Sequence, residues 1–328
     1  MKTQINFGII GLGRIAHKFA ADIRLVPEAR LHAVASTDAS RAKAFAEQHG
    51  AEYSFGSYEA ILNCPHLDVV YVATTNDTHA AVTLMCLRRR IAVVCEKPFG
   101  LNSREVREML DTAHANGTFL MEAMWSRFVP AFRKAVQIVA DGGIGRPLSI
   151  KADFCFAVAP NAPPRALSLE LGGGSWLDIG IYPAMLALSV LGKPLKINAL
   201  AHLAPSGVDD NCAVLLGYAD GAIAMLHSAM SLRSKTEAYI YGEKGTLYLP
   251  PPFHHPKSIV VDFNDGSRQV FEYPFEGHGY QFEIQEVVNC LKNNQLESAQ
   301  MPHRFSLDLI ELLDAVRQQI GLVFLNRD

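Results

Sequence analysis

Lys97, Asp178 and Tyr182 are the side chains of this sequence best suited to moving a proton. Asp178 and Tyr182 lie four residues apart in a stretch of apolar, helical pattern, Trp176 to Leu191, so both fall on one helix face. Three glycines, Gly172 to Gly174, stand before it. An Asp on an otherwise apolar helix must find a partner or solvent. A Tyr hydroxyl ordinarily titrates at about pH 10, so Tyr acid/base chemistry needs help, which a neighbouring Lys ammonium supplies. Lys97 lies in Cys95-Glu96-Lys97-Pro98, directly after an apolar strand pattern, and Pro98 restricts it to extended geometry. The carboxyl ends of parallel strands are where ligands sit in α/β sheets. The structural alternatives are a surface Lys, a glycine-rich loop, a capping Asp and a core Tyr.

A second set of residues could hold a phosphate. Gly11-Leu12-Gly13-Arg14-Ile15-Ala16 reads G-x-G-x-x-A between a strand pattern, Ile5 to Ile10, and a helical one. In that context Gly11 permits a tight turn, Gly13 lets the backbone approach a pyrophosphate and Ala16 keeps the helix close to the strand. The helix N-terminus presents N–H groups and a partial positive charge to the phosphate. The pattern therefore predicts dinucleotide binding. After the next strand comes Ser36-Thr37-Asp38-Ala39-Ser40-Arg41. An acid there suits the ribose hydroxyls of NAD, and Asp38 has about the expected 20-residue spacing. Arg41 with Ser36 suits the 2′-phosphate of NADP. Asp38 could equally cap its helix and Arg41 face solvent, so the choice between NAD and NADP stays open at this point.

The elements that must position these residues follow from periodicity. Short apolar runs at Ile5–Ile10, Leu31–Ala35, Val69–Ala73, Ile91–Cys95 and Phe119–Met121 predict parallel strands buried on both faces. Helical patterns lie between them at Ile15–Leu25, Ser40–His49, Ser57–Leu62, Thr78–Arg89 and Ser103–Asn116. The last has an N-cap candidate in Asn102 and a stop in Gly117. This alternation predicts an α/β N-terminal Rossmann domain with a doubly wound parallel sheet over residues 1–124. A connecting helix is expected over Val129–Asp141. Beyond it, strand patterns at Leu148–Ala157, Asn211–Tyr218, Ala222–Met230, Thr236–Tyr241, Thr246–Leu249, Ile259–Phe263 and Gln269–Tyr273 are separated by turn signals such as Asp220-Gly221 and Asp265-Gly266. With helices at Trp176–Leu191, Tyr280–Lys292 and Ser306–Phe324, they predict an α+β C-terminal domain over residues 125–328. Its sheet should be open and largely antiparallel, with about six strands.

Composition bounds the function classes. The 328 residues are 49% hydrophobic and 19% charged, with a net charge of −3. That is the balance of a soluble globular chain, without the basic excess of one built to bind nucleic acid. No apolar run reaches the length of a membrane span, and the N-terminus lacks a secretory cleavage pattern. The six cysteines form no C-x-x-C pair, which predicts buried thiols in a reducing cytoplasm and no zinc site. His254-His255, flanked by Pro250, Pro251, Pro252 and Pro256, reads as an exposed loop and not a metal site. Arg88-Arg89-Arg90 closes a helix, where cations suit the dipole.

Taken together, the Gly11–Ala16 turn, Glu96-Lys97-Pro98 and the run Gly172-Gly173-Gly174 through Asp178, Gly180 and Tyr182 resemble the glucose–fructose oxidoreductase / inositol dehydrogenase / MocA family. The similarity covers nearly the whole chain. The stretches Cys95–Pro98, Met121–Phe128, Leu171–Tyr182 and Gly279–Glu283 look most like the dimeric dihydrodiol dehydrogenase and NADP-linked D-xylose dehydrogenase branch. The resemblance implies hydride transfer between NAD or NADP and a hydroxyl or carbonyl of a sugar, cyclitol or trans-dihydrodiol. It implies Tyr182 as acid/base, Lys97 as its electrostatic partner and Asp178 near substrate. It further implies Gly11, Gly13, Arg14, Ile15, Ala16, Ser36, Thr37, Asp38, Arg41, Thr74, Thr75, Asn76, His79, Glu96 and Lys97 at the cofactor, and Trp125, Arg127 and Phe128 at the substrate. Many members have Pro near Asn76, and the NADP-linked branch usually has Arg where this chain has Thr37. Two rivals stand on the same scaffold: a glycoside hydrolase with a recycled NAD, and a non-catalytic nucleotide-sensing protein. Retention of Lys97, Asp178 and Tyr182 argues against the second.

Neither side of the strand Ala222–Met230 is polar: Ile223, Met225 and His227 alternate with Ala224, Leu226 and Ser228. One face should pack on the helices Trp176–Leu191 and Tyr280–Lys292. The other needs a cover, which predicts a homodimer through this sheet, as occurs in the family it resembles. The alternative cover is the segment Pro250–Pro256 of the same chain.

Overall fold

The computed structural model describes residues 4–159 and 164–324. In chain order the first elements are β1 (Ile5–Ile10), α1 (Arg14–Ile23), β2 (Ala29–Ala35), α2 (Ala39–His49), β3 (Tyr53–Phe55), β4 (Val69–Val72), α3 (His79–Leu87), β5 (Ala92–Glu96), α4 (Ser103–Asn116) and β6 (Leu120–Ala123). There follow α5 (Pro130–Ala140), β7 (Pro147–Cys155), α6 (Ile181–Leu191), β8 (Lys196–Leu203), β9 (Asp209–Gly217) and β10 (Ile223–Ala229). The chain ends through β11 (Ala238–Gly242), β12 (Gly245–Leu249), β13 (Ser258–Phe263), β14 (Arg268–Glu272), α7 (Tyr280–Lys292) and α8 (His303–Ile320).

Strands β1 to β6 form one parallel sheet in the order β3-β2-β1-β4-β5-β6, the doubly wound arrangement the alternation predicts. Phe7, Ile9, Val70, Val72, Val93 and Val94 are wholly buried, because helices cover both faces. The strand order reverses between β1 and β4, which places the Gly11 turn at the switch point where such sheets bind ligands. Asn102 caps α4 by accepting the Glu105 N–H at 3.0 Å, and Gly117 stops it at φ 58°. The helical pattern at Ser57–Leu62 yields only a 3₁₀ turn, Ala60–Asn63, and the three-residue β3 follows a stretch too short to show a pattern.

The chain separates into two compact units, residues 1–128 with 276–307, and residues 129–275 with 308–328. The expected single break at residue 125 thus becomes three crossings. Helix α7 packs on α1 of the first unit, where the sequence reading put it on the second sheet. Its anchor is Asp22 of α1, wholly buried, which accepts N–H groups from His278 at 2.9 Å and Tyr280 at 3.0 Å. A carboxylate from one helix thereby caps another far along the chain, and no local pattern encodes that.

The second unit holds an eight-stranded sheet in the order β14-β13-β12-β11-β7-β10-β9-β8. All neighbours are antiparallel except β7 with β10. Seven of these strands fall on the predicted patterns, against an expected count of about six. Edge strand β8, Lys-Ile-Asn-Ala-Leu-Ala-His-Leu, escapes the sequence reading because small and polar residues dilute its β pattern. Helices α5 and α6 pack on the sheet. One face buries Ile150, Ala152, Val214, Leu216, Ala224, Leu226 and Ile240. The opposite face leaves Leu200, Leu215, Ile223, Met225 and Tyr241 exposed, Leu200 to 81%.

Candidate active site

The dinucleotide turn has the geometry its sequence requires. Gly11 sits at φ +89°, and a Cβ there would lie 2.6 Å from the Ala73 carbonyl oxygen and 2.7 Å from the Thr74 nitrogen. Only glycine lets β1 and β4 come this close. Gly13 is the N-cap of α1, with no side-chain cap, no acid in the first turn, and open space where a Cβ would stand. The helix N-terminus is therefore open to an anion. Ala16 is buried, while Arg14 is exposed and Ile15 half-buried beside it. Thr74 adds a buried hydroxyl with no protein partner, in the loop that follows β4. An uncapped helix, a glycine with open space and an orphaned hydroxyl fit a dinucleotide.

At the end of β2, Asp38 serves as the N-cap of α2. Its Oδ1 accepts the N–H groups of Ser40 at 2.8 Å and Arg41 at 3.1 Å. The wholly buried Ser36 accepts the Arg41 Nε–H at 2.9 Å and the Asp38 N–H at 3.1 Å. Thr37 projects outward between them. A guanidinium and a hydroxyl are thus already paired, whereas the Asp38 carboxylate holds its own helix.

The turn that carries Lys97 is clamped from three sides. The Lys97–Pro98 peptide is cis. Glu96 folds back so that Oε2 accepts the Lys97 N–H at 3.1 Å, while Oε1 accepts the Tyr71 hydroxyl. Glu122 of β6 accepts the Phe99 N–H at 3.2 Å, and burial pushes its carboxyl up to about 7. His79, buried at the start of α3, sits 2.8 Å from the Pro98 oxygen through Nδ1 and 3.3 Å from the Thr74 oxygen through Nε2. It links the Thr74–Thr75–Asn76 loop to the Lys97 turn. Glu96 and His79 therefore act here as braces of the backbone. Trp125, Arg127 and Phe128 form a 3₁₀ turn against the returning C-terminal segment. Trp125 stacks on Tyr280 with centroids 4.9 Å apart, and Arg127 donates to the Gln300 oxygen at 3.0 Å and lies over the Phe305 ring.

In the second unit Asp178 lies in a π-helical turn, Trp176–Gly180, that runs into α6. Arg165 donates to its Oδ1 at 3.1 Å. The glycines explain how. A Cβ on Gly173 would meet the Arg165 and Ala166 carbonyl oxygens at 2.7 and 2.6 Å, so only glycine lets the 165–168 turn lie against the loop. Asp209 fixes the other side, accepting from the Ser175 hydroxyl at 2.6 Å and the Trp176 N–H at 2.7 Å. Tyr182 is 5% exposed, with its ring 5.5 Å from Phe154 and 4.9 Å from His254. His254 is buried and stacked on Phe154, so the reading of His254-His255 as an exposed loop is corrected. Among the described residues no group of three His, Cys, Asp or Glu side chains could hold a metal ion. Arg165, Phe154, Asp209 and His254 are additions to the sequence reading. The glycine run was their one signal, since three consecutive glycines imply that something packs on them.

A glycine turn of dinucleotide-binding pattern at a sheet switch point, with a clamped Lys two strands away, is the arrangement of a nicotinamide-dependent oxidoreductase. The model of the oxidoreductase family GFO_IDH_MocA, NAD-binding Rossmann fold, matches residues 5–124, and the GFO/IDH/MocA C-terminal domain matches residues 132–248. The chain belongs to this family. Trans-1,2-dihydrobenzene-1,2-diol dehydrogenases from Mus musculus and Homo sapiens are each 35% identical to it over 332 residues, 98% of both chains. A 3-ketoreductase from Actinomadura kijaniata, solved with NADP and TDP-benzene, superimposes with a TM-score of 0.87 at 26% identity, covering 97% of this chain and 98% of that one. Levoglucosan dehydrogenase shares the fold, with a TM-score of 0.88 at 18% identity over 97% of each chain. The protein is an NAD(P)-dependent dehydrogenase of the Gfo/Idh/MocA family. No helix among the described residues is long and apolar enough to cross a membrane.

Proposed function

We propose that the protein transfers hydride between NADP or NAD and a secondary hydroxyl, or the matching carbonyl, of a cyclic polyhydroxylated substrate: a trans-dihydrodiol, sugar or cyclitol. The observation that carries this reading is the braced Lys97 turn at the end of β5, together with full-length similarity to dihydrodiol dehydrogenases. Bound nicotinamide supplies the hydride acceptor. Tyr182 removes the hydroxyl proton, and the Lys97 ammonium stabilises the developing oxyanion. Asp178, paired with Arg165, accepts a hydrogen bond from a neighbouring substrate hydroxyl. Nucleotide binding is assigned to the unit built on residues 1–128, and substrate binding and assembly to the sheet-bearing unit built on residues 129–275.

For the cofactor, the paired Ser36 and Arg41 favour a 2′-phosphate, while Asp38 commits Oδ1 to its helix and, with Thr37, restrains that preference, so either cofactor serves with a slight lean to NADP. For assembly, the apolar outer face of the second sheet supports a homodimer. The segment Pro250–Pro256 is unavailable as its cover, because His254 packs on Phe154 and Tyr182. Six buried, reduced cysteines support a cytoplasmic location. The test is a panel of dihydrodiols, sugars and cyclitols with NAD and NADP, followed by reduced-nicotinamide absorbance. Activity on at least one diol class is expected. Cofactor that copurifies, never exchanges and supports only glycoside cleavage would replace this reading with the hydrolase.

A further inference from the structure

Tyr71 is the one polar side chain of β4, Val-Val-Tyr-Val, and it is wholly buried. Packing alone would be served there by Phe, since a buried hydroxyl costs free energy unless it finds a partner. The partner is specific: the Tyr71 hydroxyl donates to Glu96 Oε1. Tyr71 pairs with Val94 of β5, and Glu96 stands two residues further along that strand, so Tyr71 and Glu96 project from one face of the sheet. Glu96 is itself buried, and its other oxygen accepts the Lys97 N–H at 3.1 Å. The chain of contacts runs from a hydroxyl through a carboxylate to the peptide of Lys97.

The ring of Tyr71 is held as well as its hydroxyl. It stacks on Phe19 with centroids 3.6 Å apart and planes 6° from parallel. Phe19 belongs to α1, the helix whose uncapped N-terminus follows the Gly11 turn, and it meets Tyr280 of α7 edge-on at 6.2 Å. One side chain therefore touches both the dinucleotide helix and the carboxylate beneath Lys97. We propose that Tyr71 is a positioning residue: stacked on α1 and hydrogen-bonded to Glu96, it sets where the Lys97 turn stands relative to the dinucleotide turn. Tyr71 touches neither substrate nor cofactor in this scheme. It acts through Glu96, and Glu96 acts through the Lys97 peptide.

The catalytic part rests on the dehydrogenase reading, whereas the hydrogen-bonded pair does not, and the experiment separates them. Tyr71→Phe removes one oxygen and leaves the stacked ring. It should lower kcat ~10-fold while substrate KM and dinucleotide Kd stay within ~2-fold, the split expected of a group that positions chemistry and not binding. Glu96→Met removes the acceptor and should lower kcat at least as far. Because Tyr71 acts through Glu96, adding Tyr71→Phe to Glu96→Met should change kcat by less than ~2-fold. Wild-type kcat in Tyr71→Phe, a loss confined to KM or Kd, or a full further ~10-fold loss in the double variant overturns the proposal. A Tyr71→Phe chain that does not fold also overturns it, because the hydroxyl would then hold the fold and not the turn. Should Glu96→Met fail to fold, Glu96→Gln takes its place in the cycle. A wild type inactive with every cofactor and substrate would instead mark failure of the dehydrogenase reading. The pair is then read in the denaturant midpoints of the same variants, where losses that simply add overturn it.

Discussion

Lys97 is a residue whose surroundings are built before any ligand arrives. Glu96, Glu122 and His79 fix the backbone on both sides of it, so its substitution should remove a charge without moving the turn. Lys97→Met should leave dinucleotide affinity near normal and lower turnover by ~10² or more, the scale of a positioned electrostatic group. Near-wild-type turnover would take Lys97 out of the mechanism. At the ribose end, Arg41→Ala should weaken NADP more than NAD, read as the ratio of kcat/KM values. Asp38→Ala should cost about 1 kcal/mol of stability through the lost cap and change cofactor choice little. A large NAD preference that disappears in Asp38→Ala would show that the carboxylate reads the ribose after all.

Helices and strands explain why chemistry-bearing residues stand where they do. The Asp22 carboxylate ties α7 to α1, and α7 carries Tyr280 and Glu283 into the first unit. Asp22 also meets His278 Nδ1 at 2.9 Å. Removing the carboxylate strands the buried Tyr280 N–H and the half-buried His278 N–H at once. Asp22→Ala should therefore cost about 3 kcal/mol of unfolding free energy, with Asp22→Asn milder because it keeps an acceptor. Denaturant titration measures both. Equal stability of wild type and Asp22→Ala would mean that α7 is held by its apolar face alone. On the second unit the same logic applies to the glycines: Gly173 and Gly180 are spaces into which neighbouring atoms already reach, the Ala166 oxygen and the Trp176 ring.

For the whole molecule the question is what covers the outer face of the eight-stranded sheet. Leu215 and Met225 face each other across β9 and β10, with Leu200 on the edge strand beyond. Light scattering at micromolar concentration should give twice the 36.0 kDa of one chain. Leu215→Glu with Met225→Lys should shift the mass toward one chain. A wild-type mass near one chain would reject the dimer. The thiols offer a second global readout. Burial raises all six, Cys86 and Cys290 to about 12. A thiol held above its unfolded value reacts slowly in the native state, because the thiolate is the nucleophile. A thiol reagent in mildly alkaline buffer should therefore label none rapidly in the native protein and all six after denaturation. Rapid native labelling of one would identify a cysteine that opens to solvent.

The sequence by itself determined the features that depend on neighbours within a few residues. The Gly11 turn, the five main strands of the first sheet and the caps at Asn102 and Gly117 are all local. They follow from a backbone angle, a period or a capping oxygen. Tertiary structure decided the rest. It sent α7 back to the first unit, because a single Asp22 carboxylate satisfies N–H groups more than two hundred residues away. It drew His254 inward against Phe154 and Tyr182, although two histidines among prolines carry no local sign of burial. It paired Arg165 with Asp178 across a glycine run whose purpose is visible only once the packed carbonyls are seen. It added β8, whose strand geometry comes from the β9 ladder and not from its own residues. In each case the deciding interaction joins atoms remote in sequence, and its free energy exists only after the chain has brought them together.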